Sequence, residues 1–211
     1  MHVLTKRQTQ SITGSKNNMA RTIRTKVYKF NELSKEAKQK AIEWYKSFLN
    51  EDPDILFGFE DYCSERAKEV GFYDITVQYS LSYCQGDGLS FSGKIDLKKL
   101  IPEIIPGIKK SVINTIINNC SYKLTGNEGR YCYASKSDID FWLDNYTNKD
   151  RPNIQKIVDK ILAGLEDIYI DLCKELEKTG YKWIESAYED ENIIDNIEAN
   201  EYEFKANGTR F

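Results

Sequence analysis

The chain has 211 residues, of which 40% are apolar, and its fourteen Tyr, nine Phe and three Trp are sufficient for a packed core. Nothing in it approaches the roughly 18 consecutive apolar residues that a membrane span needs, and no signal peptide is recognisable at its start. The five cysteines are scattered and form no C-x-x-C pair, which argues against a disulfide framework and against a zinc site. This spacing indicates reduced thiols in an intracellular protein.

Charge is distributed unevenly along the chain. Residues 1–31 carry seven basic residues and no acid, whereas the rest of the chain holds 23 basic and 33 acidic residues. We therefore predict a flexible basic leader over residues 1–20 and a single α+β domain over residues 21–211. A basic arm can alternatively serve as an RNA- or DNA-binding module. The candidate nucleic-acid contacts are Lys6, Arg7, Lys16, Arg21 and Arg24.

The first predicted elements after the leader are a strand and two helices. Arg21–Phe30 carries β-branched residues among basic ones, which favours a strand. Asn31–Leu49 is the clearest helix, because Ser34 can cap it and apolar residues recur at helical spacing. Asp52-Pro53 predicts the start of a second helix, since Pro suits the first helical position, and Gly71 predicts its end.

The stretch Asp74–Ile95 has the strongest hairpin pattern in the chain. Apolar and polar residues alternate up to Gly86-Asp87-Gly88, where the sequence predicts an exposed turn, and the alternation resumes from Leu89. Two helices followed by a hairpin predict the α+β class rather than the alternating order of a nucleotide-binding doubly wound sheet. We expect a mostly antiparallel sheet built on long hairpins, with helices packed on one face.

Two short helices are predicted after this hairpin. Asp96 can cap the first, and the prolines at positions 102 and 106 are expected to break it. Lys109–Cys120 then resumes a helical pattern, with apolar residues on one face.

The next segment predicts a second hairpin and the longest helix. Ser121–Thr125 and Arg130–Ser135 are expected to pair with each other, and Ser137–Leu143 forms a further strand. The longest helical pattern begins around Pro152, and Gly180 is expected to end or kink it.

The C-terminal part is strongly acidic. Trp183–Phe204 contains eight acids and no base, with a helical rhythm that gives way to a predicted closing strand. Such a segment is either an amphipathic helix with an acidic outer face or a surface that docks onto a basic partner. The candidate partner-binding residues, here and at the hairpin turn, are Gln85, Gly86, Asp87, Gly88, Glu189, Asp190 and Glu191.

Aromatic residues on the predicted strands allow two interpretations. They could stack nucleic-acid bases on an open sheet, or they could form the face of the sheet that packs on the helices. The scarcity of basic residues around them favours the second interpretation. These aromatic residues are Tyr79, Tyr83, Phe91, Tyr131, Tyr133, Phe141 and Trp142.

Several kinds of chemistry lack their usual residues in this chain. His2 is the only histidine, so a histidine general base and most catalytic zinc sites are disfavoured. The glycines at positions 86 and 88 lie between two strands, whereas a phosphate loop needs a following helix N-terminus. The sequence therefore predicts no catalytic residue, no metal site and no cofactor. The enzymatic alternative is a small metal-dependent enzyme that acts on nucleotides or nucleic acid through carboxylates near Gln85–Gly88.

Three stretches together resemble a family of small phage and prophage proteins. They are Val27–Tyr45, the turn Gln85-Gly-Asp-Gly-Leu-Ser-Phe91 and Ala199–Phe204, and the resemblance extends over residues 22–211. Members often carry the description "antitoxin of toxin–antitoxin stability system". The resemblance implies a non-catalytic accessory protein that binds and inhibits a host macromolecule, as an antagonist of CRISPR or another defence or as an antitoxin. The implied partner is a host protein or ribonucleoprotein in the cytoplasm of an infected or lysogenic bacterium.

Overall fold

The computed structural model describes residues 25–52, 54–126, 131–144 and 152–211. Their helices are α1 (Lys35–Leu49), α2 (Phe59–Val70), α3 (Leu97–Ile104), α4 (Lys110–Asn119), α5 (Pro152–Ala187) and α6 (Asp190–Ala199). Their strands are β1 (Tyr28–Lys29), β2 (Phe72–Ser80), β3 (Gly88–Ile95), β4 (Cys120–Thr125), β5 (Asp138–Leu143) and β6 (Glu203–Phe204). The predicted α+β class is confirmed, because helices pack against an antiparallel sheet.

Four strands form the main sheet in the order β2-β3-β4-β5, and all neighbouring pairs are antiparallel. The alternation predicted for the first hairpin is confirmed, since Val77 lies opposite Phe91 and Tyr79 lies opposite Leu89. Phe91 and Leu89 are buried, and the Phe91 ring packs 4.7 Å from the ring of Tyr169 on α5. Because side chains alternate along a strand, this apolar face meets the long helix.

Strands β3 and β4 pair only through Gly93 and Leu124. On either side of Gly93, two tyrosine hydroxyls form hydrogen bonds with the backbone of β3. The Tyr169 hydroxyl lies 2.9 Å from the amide nitrogen of Phe91 and 2.8 Å from its carbonyl oxygen. The Tyr122 hydroxyl lies 3.3 Å and 3.1 Å from the same two groups of Ile95. A hydroxyl both accepts and donates, so each tyrosine satisfies one backbone donor and one acceptor that would otherwise be unpaired.

Within the described ranges, buried side chains form two clusters. The sheet core lies between the main sheet and helices α2 to α5, and it includes Phe59 and Phe91. The terminal core lies among α1, α6 and the β1–β6 pair, and it includes Ala41, Ile197 and Phe204. The antiparallel pairing of β1 with β6 closes this second cluster, which joins segments from the two ends of the described chain.

Capping side chains fix the helix starts that the sequence predicts. Ser34 precedes α1, and its Oγ accepts a hydrogen bond from the Ala37 amide at 3.3 Å. Asp96 precedes α3 and accepts from the Lys99 amide at 3.2 Å. At the end of α2, Gly71 has φ +134° and its amide bonds to the Ala67 carbonyl, as predicted for a helix stop.

The predicted start of the second helix at Asp52-Pro53 is wrong, because α2 begins at Phe59. The Asp52 carboxylate accepts the amide of Asp54, two residues on, at 2.9 Å, which stabilises a turn rather than a helix N-terminus. Gly58 then adopts φ +80°, a left-handed conformation that separates the turn from the helix. Pro53 itself lies outside the described residues.

The predicted second hairpin is wrong in its second strand. Strand β4 pairs with Asp138–Leu143, and the described part of the predicted partner, residues 131–135, contributes only the start of a 3-10 helix at Ala134–Lys136. Of the predicted strand Arg21–Phe30, the described part pairs only at Tyr28–Lys29.

Two predicted helix ends do not occur. Pro102 lies inside α3, which continues to Ile104, and Gly180 lies inside α5, which continues to Ala187. A Cβ on Gly180 would clash with Cδ1 of Leu81, so this glycine allows close packing of the helix.

Candidate functional site

The connection between β2 and β3 is a seven-residue loop, residues 81–87. It is longer than the tight turn predicted on Gly86-Asp87-Gly88, since Gly88 already belongs to β3. The prediction of an exposed Gln-Gly-Asp-Gly turn is correct only for Gln85, because both glycines are buried and Asp87 is half-buried. The exposed side chains belong instead to the first half of the loop, at residues 82–85.

The carboxylate of Asp87 turns inward and organises this loop. Ser80 Oγ and Cys84 Sγ donate to its Oδ1 at 2.9 Å and 3.1 Å. Its Oδ2 accepts from the amides of Ser82 and Cys84 at 2.7 Å and 3.0 Å, and from the Tyr181 hydroxyl of α5 at 2.7 Å. The loop is thereby fixed to itself, to the end of β2 and to the long helix.

Electrostatics at Asp87 favour the ionised carboxylate. Burial is the largest effect and opposes ionisation, but the hydrogen bonds from Tyr181, Cys84 and Ser80 outweigh it and lower the pKa of Asp87 below its ordinary value of 3.8. Burial and the bond to Asp87 raise the pKa of Tyr181, which keeps its hydroxyl a donor. Burial and then the charge of Asp87 also raise the pKa of Glu177.

Tyr83 is presented to solvent in a strained backbone conformation. Its φ is +55°, a left-handed value that is unfavourable for a bulky residue, and its side chain is 64% exposed. The two amides bonded to Asp87 Oδ2 belong to the residues on either side of it, Ser82 and Cys84. Its ring also packs 4.8 Å from the Tyr181 ring. The Asp87 bonds therefore hold Tyr83 in place.

The loop also packs against residues 131–133. Gly86 has φ +130°, and a Cβ at this position would lie 2.6 Å from Cδ1 of Tyr131. A Cβ on Gly88 would lie 2.9 Å from the Cys132 carbonyl oxygen. Glycine is thus required here for close approach as well as for conformation.

A cleft of about 650 Å³ lies beside the loop, where the end of α1 and the end of α5 meet it. Tyr83 lines it, and the Tyr188 hydroxyl donates to Asn50 Oδ1 at 2.8 Å within it. The lining residues are Leu49, Asn50, Asp52, Ile55, Leu81, Ser82, Tyr83, Ile184, Glu185 and Tyr188. The cleft therefore combines apolar walls with two carboxylates.

The other predicted partner-binding residues lie at the start of α6. Glu189, Asp190 and Glu191 are exposed there, and Asp190 forms an ion pair of 2.6 Å with Lys46 of α1. Acids at a helix N-terminus are favoured by the helix dipole, so these residues have a structural role. The five predicted nucleic-acid contacts, residues 6, 7, 16, 21 and 24, lie outside the described residues.

The seven aromatic residues do not form one platform. Phe91 and Phe141 are buried in the sheet core, as the second interpretation expected. Trp142 follows Phe141 in β5 and is 47% exposed, because neighbouring residues of a strand point to opposite faces. Tyr83 lies in the loop rather than on a strand.

Sequence reasoning missed Tyr181 and Ser80, which bind the Asp87 carboxylate. Tyr181 is 94 residues away from it along the chain. Among the described residues, no group of three or more His, Cys, Asp or Glu side chains could hold a metal ion. None of the described helices has the length and apolar character needed to cross a membrane. Comparisons of the chain with protein-family models, with curated proteins and with solved structures found no match.

Proposed function

We propose that this protein is a phage-type accessory protein that binds a host protein or ribonucleoprotein and inhibits it without catalysis. The target belongs to a bacterial defence, either a CRISPR system or a toxin, in the cytoplasm of an infected or lysogenic host. The observation that supports this proposal is the strained, exposed Tyr83, held by Asp87 on both sides. The resemblance of the sequence to phage and prophage proteins supplies the class of target.

A fixed, exposed tyrosine suits binding for two physical reasons. Tyrosine buries a large area with few rotatable bonds, which explains its enrichment among residues that dominate binding energy. A loop that is already ordered loses little conformational entropy when it binds. Backbone strain is also concentrated at binding and catalytic sites, where surrounding contacts maintain it. Asp87 provides such contacts here, with its oxygens already engaged by protein donors.

The test replaces Tyr83 with Gly. This change removes the aromatic side chain and relieves the left-handed strain, so the fold keeps its stability while binding is lost. Glu201→Gly is a matched control, because Glu201 also has a left-handed φ, of +52°, and lies outside the loop. Bacteria with an active CRISPR or toxin–antitoxin system would express each variant, and plaque formation by a sensitive phage would report inhibition.

We expect the natural protein and Glu201→Gly to restore plaque formation and Tyr83→Gly to fail. The complex would be isolated from the same cells by affinity purification and sized by gel filtration. A complete absence of inhibition across hosts that carry these defences would contradict the proposal. Multiple turnover of a nucleotide or nucleic-acid substrate would favour the enzymatic alternative instead.

A further inference from the structure

The turn between α1 and α2 presents an aromatic side chain to solvent from a hydrogen-bonded backbone. Phe57 is 87% exposed, although its backbone is fixed, since its amide bonds to the Asp54 carbonyl at 2.8 Å. The Phe59 amide continues the turn by bonding to the Leu56 carbonyl at 3.0 Å. An exposed phenylalanine leaves a large apolar area in water, and burying that area would favour association.

This turn comprises Asp52 and residues 54–58. Its residues line two clefts. Asp52 and Ile55 line the cleft of about 650 Å³ beside the 81–87 loop. Asp54 and Phe57 line a second cleft of about 280 Å³, together with residues of α2 and β2. The turn therefore joins the larger cleft, which Tyr83 of the 81–87 loop also lines, to the exposed Phe57.

The charges around these clefts are all negative. Asp52 and Glu185 line the larger cleft, and Asp54, Glu60 and Asp61 line the smaller one. No lysine or arginine lines either cleft among the described residues. In the same part of the chain, none of the five carboxylates forms a salt bridge. Their field remains available to an incoming positive charge.

We propose that this surface docks a segment of the partner protein that carries Lys or Arg side chains beside an apolar one. The apolar side chain enters the larger cleft, Phe57 inserts into the partner, and the basic side chains face the carboxylates. A phosphate backbone would be repelled by the same charges. A second copy that pairs through this surface by a two-fold axis would bring like charges together. This inference rests on the proposed function, which it deepens by stating the chemistry of the partner.

The test measures binding of a dye-labelled peptide of Lys, Leu and Gly to the full chain by fluorescence anisotropy. A peptide with Glu for Lys and one with Ser for Lys serve as reference probes. The triple variant Asp54→Asn, Glu60→Gln, Asp61→Asn removes three charges from the surface. The control triple Glu103→Gln, Glu166→Gln, Asp167→Asn removes the same charge from exposed positions on α3 and α5. Phe57→Ser tests the aromatic contribution.

We expect the Lys peptide alone to bind, and its affinity to fall about tenfold in the 54/60/61 triple variant because opposed charges attract at this range. Phe57→Ser should also lower the affinity for the Lys peptide about tenfold, and the control triple variant should bind this peptide as tightly as the natural protein does. Equal losses in the two triple variants, or equal binding of the Glu or Ser peptide, would overturn the inference. Binding of a labelled single-stranded oligonucleotide to the natural protein that Phe57→Ser weakens, or a dimer that Phe57→Ser dissociates in sedimentation, would also overturn it.

The plaque assay separates this inference from the proposed function. If the 54/60/61 triple variant inhibits the host defence as well as the natural protein does, the inferred docking surface is contradicted and the proposed function is not. If the natural protein binds the Lys peptide but inhibits no host defence, the function is wrong and the docking chemistry stands.

Discussion

The 81–87 loop and the turn of residues 52 and 54–58 are both acidic, aromatic connections between regular elements, yet Asp87 of the loop and Asp54 of the turn use their carboxylates in opposite ways. In the loop, Asp87 accepts hydrogen bonds from Ser80, Ser82, Cys84 and Tyr181. In the turn, the Asp54 carboxylate has no salt bridge among the described residues. The first arrangement gives rigidity, and the second leaves negative charge for a partner. The donors around a carboxylate decide its role, rather than the local density of acids.

Glycine substitutions should give the largest difference between the two connections. Gly86→Ala should cost about 3 kcal/mol of unfolding free energy, because φ +130° is nearly restricted to glycine and the new methyl group would meet Tyr131. Gly58→Ala should cost about 1 kcal/mol, because its φ of +80° is left-handed but nothing lies within 4 Å of the added Cβ. Urea denaturation measures both values, and equal losses would show that the loop is not packed on Tyr131.

Removing the carboxyl charge of Asp87 should destabilise the protein more than removing that of Asp54. Asp87→Asn replaces one acceptor oxygen by a donor beside existing donors, and we expect a loss of about 2 kcal/mol. Asp54→Asn changes an exposed side chain and should stay within about 0.5 kcal/mol of the natural protein. Denaturation at neutral pH measures both variants. If Asp54→Asn lowered the free energy of unfolding as much as Asp87→Asn does, the proposed difference between the two carboxylates would be wrong.

The low pKa of Asp87 predicts a loss of stability in acid. The folded state holds this carboxylate ionised below its ordinary pKa of 3.8, so its contribution is complete above that value. As the pH falls below about 4, the unfolded chain binds a proton more readily than the folded one, and the contribution declines. The difference in unfolding free energy between the natural protein and Asp87→Asn should therefore shrink as the pH is lowered from 7 to about 3. If the difference in unfolding free energy stayed constant over this pH range, the low pKa of Asp87 in the folded state would be contradicted.

Local sequence patterns were sufficient for most elements of the fold. Ser34 and the apolar spacing after it predicted α1, and the alternation around Val77 and Phe91 predicted the first hairpin with its core face. The prediction of where α2 starts was wrong because an aspartate side chain can either cap a helix or accept a hydrogen bond from the amide two residues further on. Asp52 accepts the amide of Asp54. Gly58 then adopts a left-handed conformation before Phe59, and a glycine permits that conformation without dictating it, so its presence in the sequence did not reveal the later helix start.

The site was harder to predict than the fold because its contacts join distant segments. The sequence singled out Asp87 as a residue of an exposed turn, although the Tyr181 hydroxyl binds it from α5. Nothing local distinguishes Tyr181 or Tyr169 among fourteen tyrosines. The periodicity of α5 shows which residues face the core, but it does not show which hydroxyl meets a backbone group or a carboxylate.

A smaller loss than that of Asp87→Asn should separate the contribution of α5 from that of the loop itself. Tyr181→Phe removes the 2.7 Å hydrogen bond to Asp87 but keeps the aromatic ring that packs against Tyr83. Asp87 retains its bonds from Ser80 and from two loop amides, so the loss should be about 1 kcal/mol. Because this bond favours the ionised carboxylate, its removal should also raise the pKa of Asp87, which carbon-13 NMR of the carboxyl group can follow. If the pKa stays unchanged while stability falls, Tyr181 acts through packing, and the loop alone holds the charge of Asp87.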